Sequence, residues 1–222
     1  MNRKIWKAGP LVRVELFSDA VFAISITLLV LDIKVPEVKS FDLVPGGLRF
    51  FWPQIFAYLL TFTIIAMEWV DHHTIFHHIE RLHQIEPCKK GLFWTNFIFL
   101  MCIAFLPFPT TLLGRFPDEQ GPVEFYSGVV FLTILAKVVL RRYVNWAQLA
   151  EPAASNKFNR RTDFLWLSGL CVAFVLFILA HFWPRFTTSA WFGFGVFALA
   201  ARLWLPLELK APGKHPDSRQ GD

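Results

Sequence analysis

Charge is scarce in this chain of 222 residues: 18% of it is Asp, Glu, Lys or Arg, against 55% hydrophobic. A soluble domain carries about a quarter of its residues as charges, so the shortage argues against a water-soluble globule and favours several membrane spans. Cysteine is scarce too. Cys88, Cys102 and Cys171 are isolated, odd in number and without ligand-like spacing, which argues against a disulfide framework or a cysteine zinc site. Cys102 and Cys171 lie inside apolar runs and read as small buried hydrophobes, whereas Cys88 is the candidate exposed thiol. No linker is long enough for a separate catalytic domain, and no acid–base pair or nucleophile set accompanies the apolar segments. The chain is therefore not expected to be an enzyme or to need a cofactor. Its net charge of +5 does not point to nucleic acid, because the basic residues are spread between apolar segments instead of gathered on one soluble face. The first apolar segment lacks a short core ending in a small-residue cleavage site, so a removable signal peptide is not expected.

What the chain does have is 25 Phe, 9 Trp and six apolar segments, at about 14–35, 51–75, 91–113, 123–140, 164–183 and 191–209. Each is close to the roughly 20 residues that a helix needs to cross a hydrocarbon core. The expected fold is an all-α, multi-pass protein of the cell membrane. Residues 1–209 form one six-span domain in this reading, and 210–222 a disordered cytoplasmic tail. Pro36 ends the first segment, Pro53 sits in the first turn of the second, Pro107 and Pro109 kink or end the third, and Pro184 marks a turn between the last two. Six spans put both termini on one side. Of the 22 lysines and arginines, 17 flank that side, which makes it cytoplasmic by the positive-inside rule. Trp52, Trp69, Trp94, Trp183, Trp191 and Trp204 fall near predicted span ends, where an aromatic belt places them. A three-plus-three repeat has no sequence support, since the fourth segment has no counterpart of the polar set in the first.

That polar set lies in residues 13–36, RVELFSDAVFAISITLLVLDIKVP. A span here takes Ser18 and Asp19 into or very near the membrane, where a carboxylate is costly unless paired or wet. Arg13 and Asp19 are too far apart for an i+4 contact, so partners on a neighbouring span are expected, His72 or His73 foremost. Ile24, Leu28 and Leu31 recur at i, i+4 and i+7 and share one side of the helix. Two readings are open: a helix or lipid contact, or a hydrophobic constriction made by several copies around an axis. Thr27 either back-bonds to its own helix or turns its hydroxyl to that axis. The histidines His72, His73, His77, His78 and His83 include an i, i+4 pair but no HExxH pattern and no neighbouring cysteine. A wet helix at the membrane surface accounts for them, and no metal site is expected.

The run of Arg13, Phe17, Ser18 and Asp19, then Thr27, Leu28, Leu29, Asp32 and Pro36, closely resembles the first-helix signature of the prokaryotic branch of the TMEM175 family of potassium channels. Trp69, His72, His73 and Phe76, with Asn96 and the Leu106–Pro109 run, extend the resemblance. It implies a homotetramer of six-span subunits in a lipid bilayer, with four first helices lining a potassium path. The family has no TVGYG filter, and this sequence has no such run. Carried over by residue, Ile24 makes the narrowest layer, with Leu28 and Leu31 as successive layers outward. Thr27 matches the hydroxyl position tied to potassium preference. Ala23 stands where some relatives carry another hydroxyl, which implies modest selectivity. Arg13, Ser18 and Asp19, with His72 and His73, match a network that holds the helix. From the residues alone a secondary or proton-coupled transporter, with Asp19 or Asp32 binding the coupling ion, and a non-conducting scaffold stay open. Ion flux separates the three.

Overall fold

The computed structural model describes residues 10–34, 47–77, 79, 86–147 and 156–204. All are helical apart from short connections: α1 Pro10–Leu31, a 3-10 turn Gly47–Phe51, α2 Trp52–His77, α3 Glu86–Phe105, α4 Pro107–Arg115, α5 Gln120–Trp146, α6 Asn156–Phe182 and α7 Pro184–Trp204. Pro36, His78, His83 and the tail from Lys210 lie outside the described residues. Among the described residues four stretches are long and apolar enough to cross a membrane: Leu11–Leu31, Gly47–His77, Lys90–Arg115 and Gln120–Trp146. Within α6 the described apolar section is the shorter Trp166–Phe182. The protein is an all-α, multi-pass membrane protein.

Prolines set the breaks. Pro10 opens α1 and Pro53 lies in the first turn of α2, where a missing N–H costs nothing. Pro107 and Pro109 withhold two N–H groups from the preceding turn, and the chain answers by tightening: Leu106 N–H bonds the Ile103 carbonyl at 3.2 Å. Thr110 and Thr111 hydroxyls then donate to the carbonyls of Leu106 and Pro107. The expected third segment is thus two helices meeting at Leu106, which together span. Pro184 starts α7 well before the expected Trp191, because the hydroxyls of Thr187, Thr188 and Ser189 donate to the carbonyls of Trp183, Pro184 and Arg185 one turn earlier, while Arg185 pairs with Asp118 across the α4–α5 connection.

α1 packs on α2, α3 and α4; α5 packs on α3, α4 and α6; α7 closes against α2 and α6. Lipid tails are as apolar as leucine, so helices in a bilayer are matched by close fit and internal hydrogen bonds more than by water exclusion. Both devices are present. Gly114 of α4 lies against the backbone of α2, and a Cβ there would stand 3.1 Å from the Gln54 Cα. Buried hydroxyls link three helices: Tyr126 donates to Thr61 at 3.0 Å and Thr61 to Thr110 at 2.8 Å, since Thr110 already donates to Leu106. Trp191 is fully buried and its indole donates to Ser127 at 2.8 Å, so it is a core residue and not a belt anchor. Its place two turns inside α7, not at the helix start, is the reason. Cys171 also departs from expectation: it lies on the exposed face of α6.

Candidate functional site

α1 has two unlike faces. Ser18, Phe22, Ser25 and Leu29, spaced i, i+4, i+7 and i+11, are buried against the rest of the chain. The opposite stripe is turned away from it: Ile24 is 58% exposed, Leu28 43% and Leu31 64%. Ala20, Ala23 and Thr27 lie on the same outward side. At about 1.5 Å per residue the three branched side chains stand at levels spread over roughly 10 Å. Among the four described candidate spans α1 has the smallest buried share of its apolar window, 22%, against 28% for the α2 span and 50% for α3–α4 and for α5. Thr27 donates its hydroxyl proton to the Ile24 carbonyl at 2.9 Å, which leaves the lone pairs of Oγ1 facing outward.

The inward face is gripped by polar side chains near the start of the helix. Asn96, from α3, is fully buried and donates to Ser18 Oγ at 3.0 Å, while its carbonyl oxygen meets His72 Nε2 at 2.9 Å. Ser18 in turn donates to the Val14 carbonyl at 2.8 Å. With Asn96 oriented this way, Nε2 of His72 carries the proton, and Nδ1 is a buried nitrogen without a hydrogen-bond partner. The His72 ring is stacked on Phe76, with centroids 4.3 Å apart, and packed against Phe22 and Phe99. Asp19 does not reach either histidine, contrary to expectation. Its carboxylate accepts from the Trp69 indole at 2.9 Å, because Trp69, two positions before the Asp71–His73 run, faces α1. His73 instead approaches Glu15, Nδ1 to Oε1 3.6 Å. Arg13 is exposed and makes no ion pair with the described residues. The far end of α1 is tied as well, the Lys34 N–H bonding the Gln54 side chain at 2.9 Å.

The structure therefore brings Ser18, Asp19, His72 and His73 together and adds Asn96, Trp69 and Glu15. A lone amide in an apolar span and an indole beside a carboxylate were the signals for the first two. Among the described residues no group of three or more His, Cys, Asp or Glu side chains is placed to hold a metal.

A family model described as "Endosomal/lysosomal potassium channel TMEM175" matches residues 13–107, the region that contains both faces of α1 and every partner of its grip. A potassium channel of Chamaesiphon minutus is 38% identical over 153 residues, which is 67% of this chain and 71% of that protein. The chain belongs to the TMEM175 family. A potassium channel of a Chryseobacterium species is 28% identical over 199 residues, 87% of this chain and 91% of that protein. Among solved structures, that of a lysosomal potassium-selective channel TMEM175 homologue from Chamaesiphon minutus superposes with a TM-score of 0.71 at 28% identity, covering 86% of this chain and 97% of that one. These TMEM175-family relatives are ion channels and not enzymes.

Proposed function

We propose that this chain is a potassium-permeable, modestly selective cation channel. Residues 1–209 form a six-span subunit with both termini cytoplasmic, followed by a cytoplasmic tail, and four subunits assemble so that their α1 helices line one path. The observation that carries the reading is the division of α1. One face is held in the subunit by buried polar side chains, and the other offers Ile24, Thr27, Leu28 and Leu31 outward.

Four copies around an axis turn each branched residue into a ring. A ring of Ile or Leu gives an ion no oxygen ligands, so a narrow Ile24 ring dewets and blocks. Potassium passes when the ring widens enough for the ion to keep much of its water. Thr27 supplies the oxygen layer nearest the constriction, four Oγ1 atoms whose protons are committed to the Ile24 carbonyls and whose lone pairs face the ion. One such layer, with Ala23 adding none, discriminates less than a stack of carbonyl rings. Ser18, Asp19, His72 and His73 hold the helix at its cytoplasmic end. Arg13, which the resemblance places in the same network, is exposed at that end.

The test is the reversal potential of the purified protein in planar bilayers between potassium and sodium solutions. A potassium-selective shift is expected, reduced in Thr27→Val without loss of assembly. Coupled, saturable flux without unitary currents would instead indicate a carrier, and no flux a scaffold.

A further inference from the structure

One buried cluster lies outside both faces of α1. Lys137, on α5, is buried and donates to Glu68 Oε1 and Asp71 Oδ2 of α2, each at 2.8 Å. From α6, the buried Trp166 ring receives Lys137 Nζ at 5.7 Å from its centroid and Arg141 at 4.8 Å. Lys137 reads from the sequence as a charge at the end of a span, but α5 continues to Trp146 and carries it more than two turns into the helix. A cation and two carboxylates taken out of water are a poor source of stability, since the desolvation cost rivals the attraction. What such a group does supply is a fixed geometry, because any turn or shift of a helix separates charges that have no water to replace their partners.

The geometry points to Lys137 as a positioning residue for α1, acting through α2: the side of α2 that carries Glu68 and Asp71 is locked to α5, and this sets the opposite side, which carries Trp69 and His73. At 100° per residue the two sides are separated by roughly 150°, with His72 between them. The six residues 68–73 thus hold both the lock and the contacts to Asp19, Glu15 and, through Asn96, Ser18. α2 cannot rotate to relax one without straining the other. The inference rests on the channel reading for its consequence, that α5 and α6 set the orientation of the stripe facing the ion path, but not for the coupling itself.

The experiment follows the full-length protein with two readouts: amide hydrogen exchange along the chain in detergent, and potassium flux in liposomes. The variants are Lys137→Met, Lys137→Arg and the neutral triple variant Glu68→Gln/Asp71→Asn/Lys137→Met. Lys137→Met is expected to raise exchange over residues 14–22 by about tenfold, with α7 unchanged, although no described contact joins Lys137 to that segment. Potassium flux is expected to change by about fivefold or more alongside, and Lys137→Arg, which keeps the cation, to stay within about twofold of the parent. If Lys137→Met does not fold, the triple variant, which has no buried like charges to repel, carries the same readouts and the same expectation. Exchange over 14–22 that stays at the parent level, or that rises no more than in every other helix, overturns the inference. A parent protein that passes no potassium refutes the channel reading alone, and the exchange pattern still decides the coupling.

Discussion

Replacing Asn96 by Leu tests the grip on α1 most cleanly, because the two side chains have similar volumes and the site is fully buried. The substitution removes two hydrogen bonds, to Ser18 Oγ at 3.0 Å and to His72 Nε2 at 2.9 Å. Ser18 keeps its own bond to the Val14 carbonyl and is left with little cost. His72 is hit harder: its Nδ1 already has no partner, and losing Asn96 leaves its N–H unpaired as well. A buried donor left unsatisfied costs about 1–3 kcal/mol, while hydrogen bonds between membrane helices average about 0.6 kcal/mol and reach about 1.7. The expected loss is therefore about 1–3 kcal/mol, concentrated on His72. The double variant Asn96→Leu/His72→Phe removes the stranded donor and places a phenyl ring among Phe22, Phe76 and Phe99. It is expected to recover about 1 kcal/mol relative to the sum of the single variants. Denaturant titration in mixed micelles, followed by oligomer retention on gel filtration, measures all three. Additive losses, or an Asn96→Leu cost below about 0.3 kcal/mol, would refute the idea that this bridge holds α1.

Substitutions at two further positions follow from the packing. Asp19→Asn keeps an oxygen for the Trp69 indole and is expected to conduct and assemble nearly as the parent does, whereas Asp19→Leu removes the acceptor and costs about 1 kcal/mol; equal thermal stability of the two variants would count against this contact. Gly114→Ala forces a Cβ to within 3.1 Å of the Gln54 backbone and is expected to cost about 1–3 kcal/mol. It should also loosen the Lys34–Gln54 tie at the far end of α1, seen as faster amide exchange at Lys34.

Much of the fold was legible in the apolar runs and prolines, because span length and a missing N–H are local properties. Pro107, Pro109 and Pro184 mark breaks in the chain where the structure has them. Pairings between helices were not legible in the same way. Lys137 looked like a flank charge because nothing nearby in sequence shows that Glu68 and Asp71, more than 60 residues earlier, are placed to receive it. Residue type points Asp19 to a histidine, whereas the register of α2 gives it Trp69. Trp191 reads as a belt residue because it opens the expected sixth segment, but α7 begins earlier and carries it into the core. Periodicity did find the stripe of Ile24, Leu28 and Leu31. That the stripe points away from the rest of the chain, and that Ser18, Phe22, Ser25 and Leu29 point in, depends on which neighbours α1 packs against.

The central claim is that this outward stripe is the ion path, and single-channel recording of Ile24→Ala tests it most directly. Trimming the ring leaves the gripped face of α1 untouched. The expected result is an assembled channel that opens more often and passes more current, with weaker block and a reversal potential closer to that of an unselective pore. An assembled Ile24→Ala protein whose conductance, open probability and reversal potential all match the parent would place the path elsewhere.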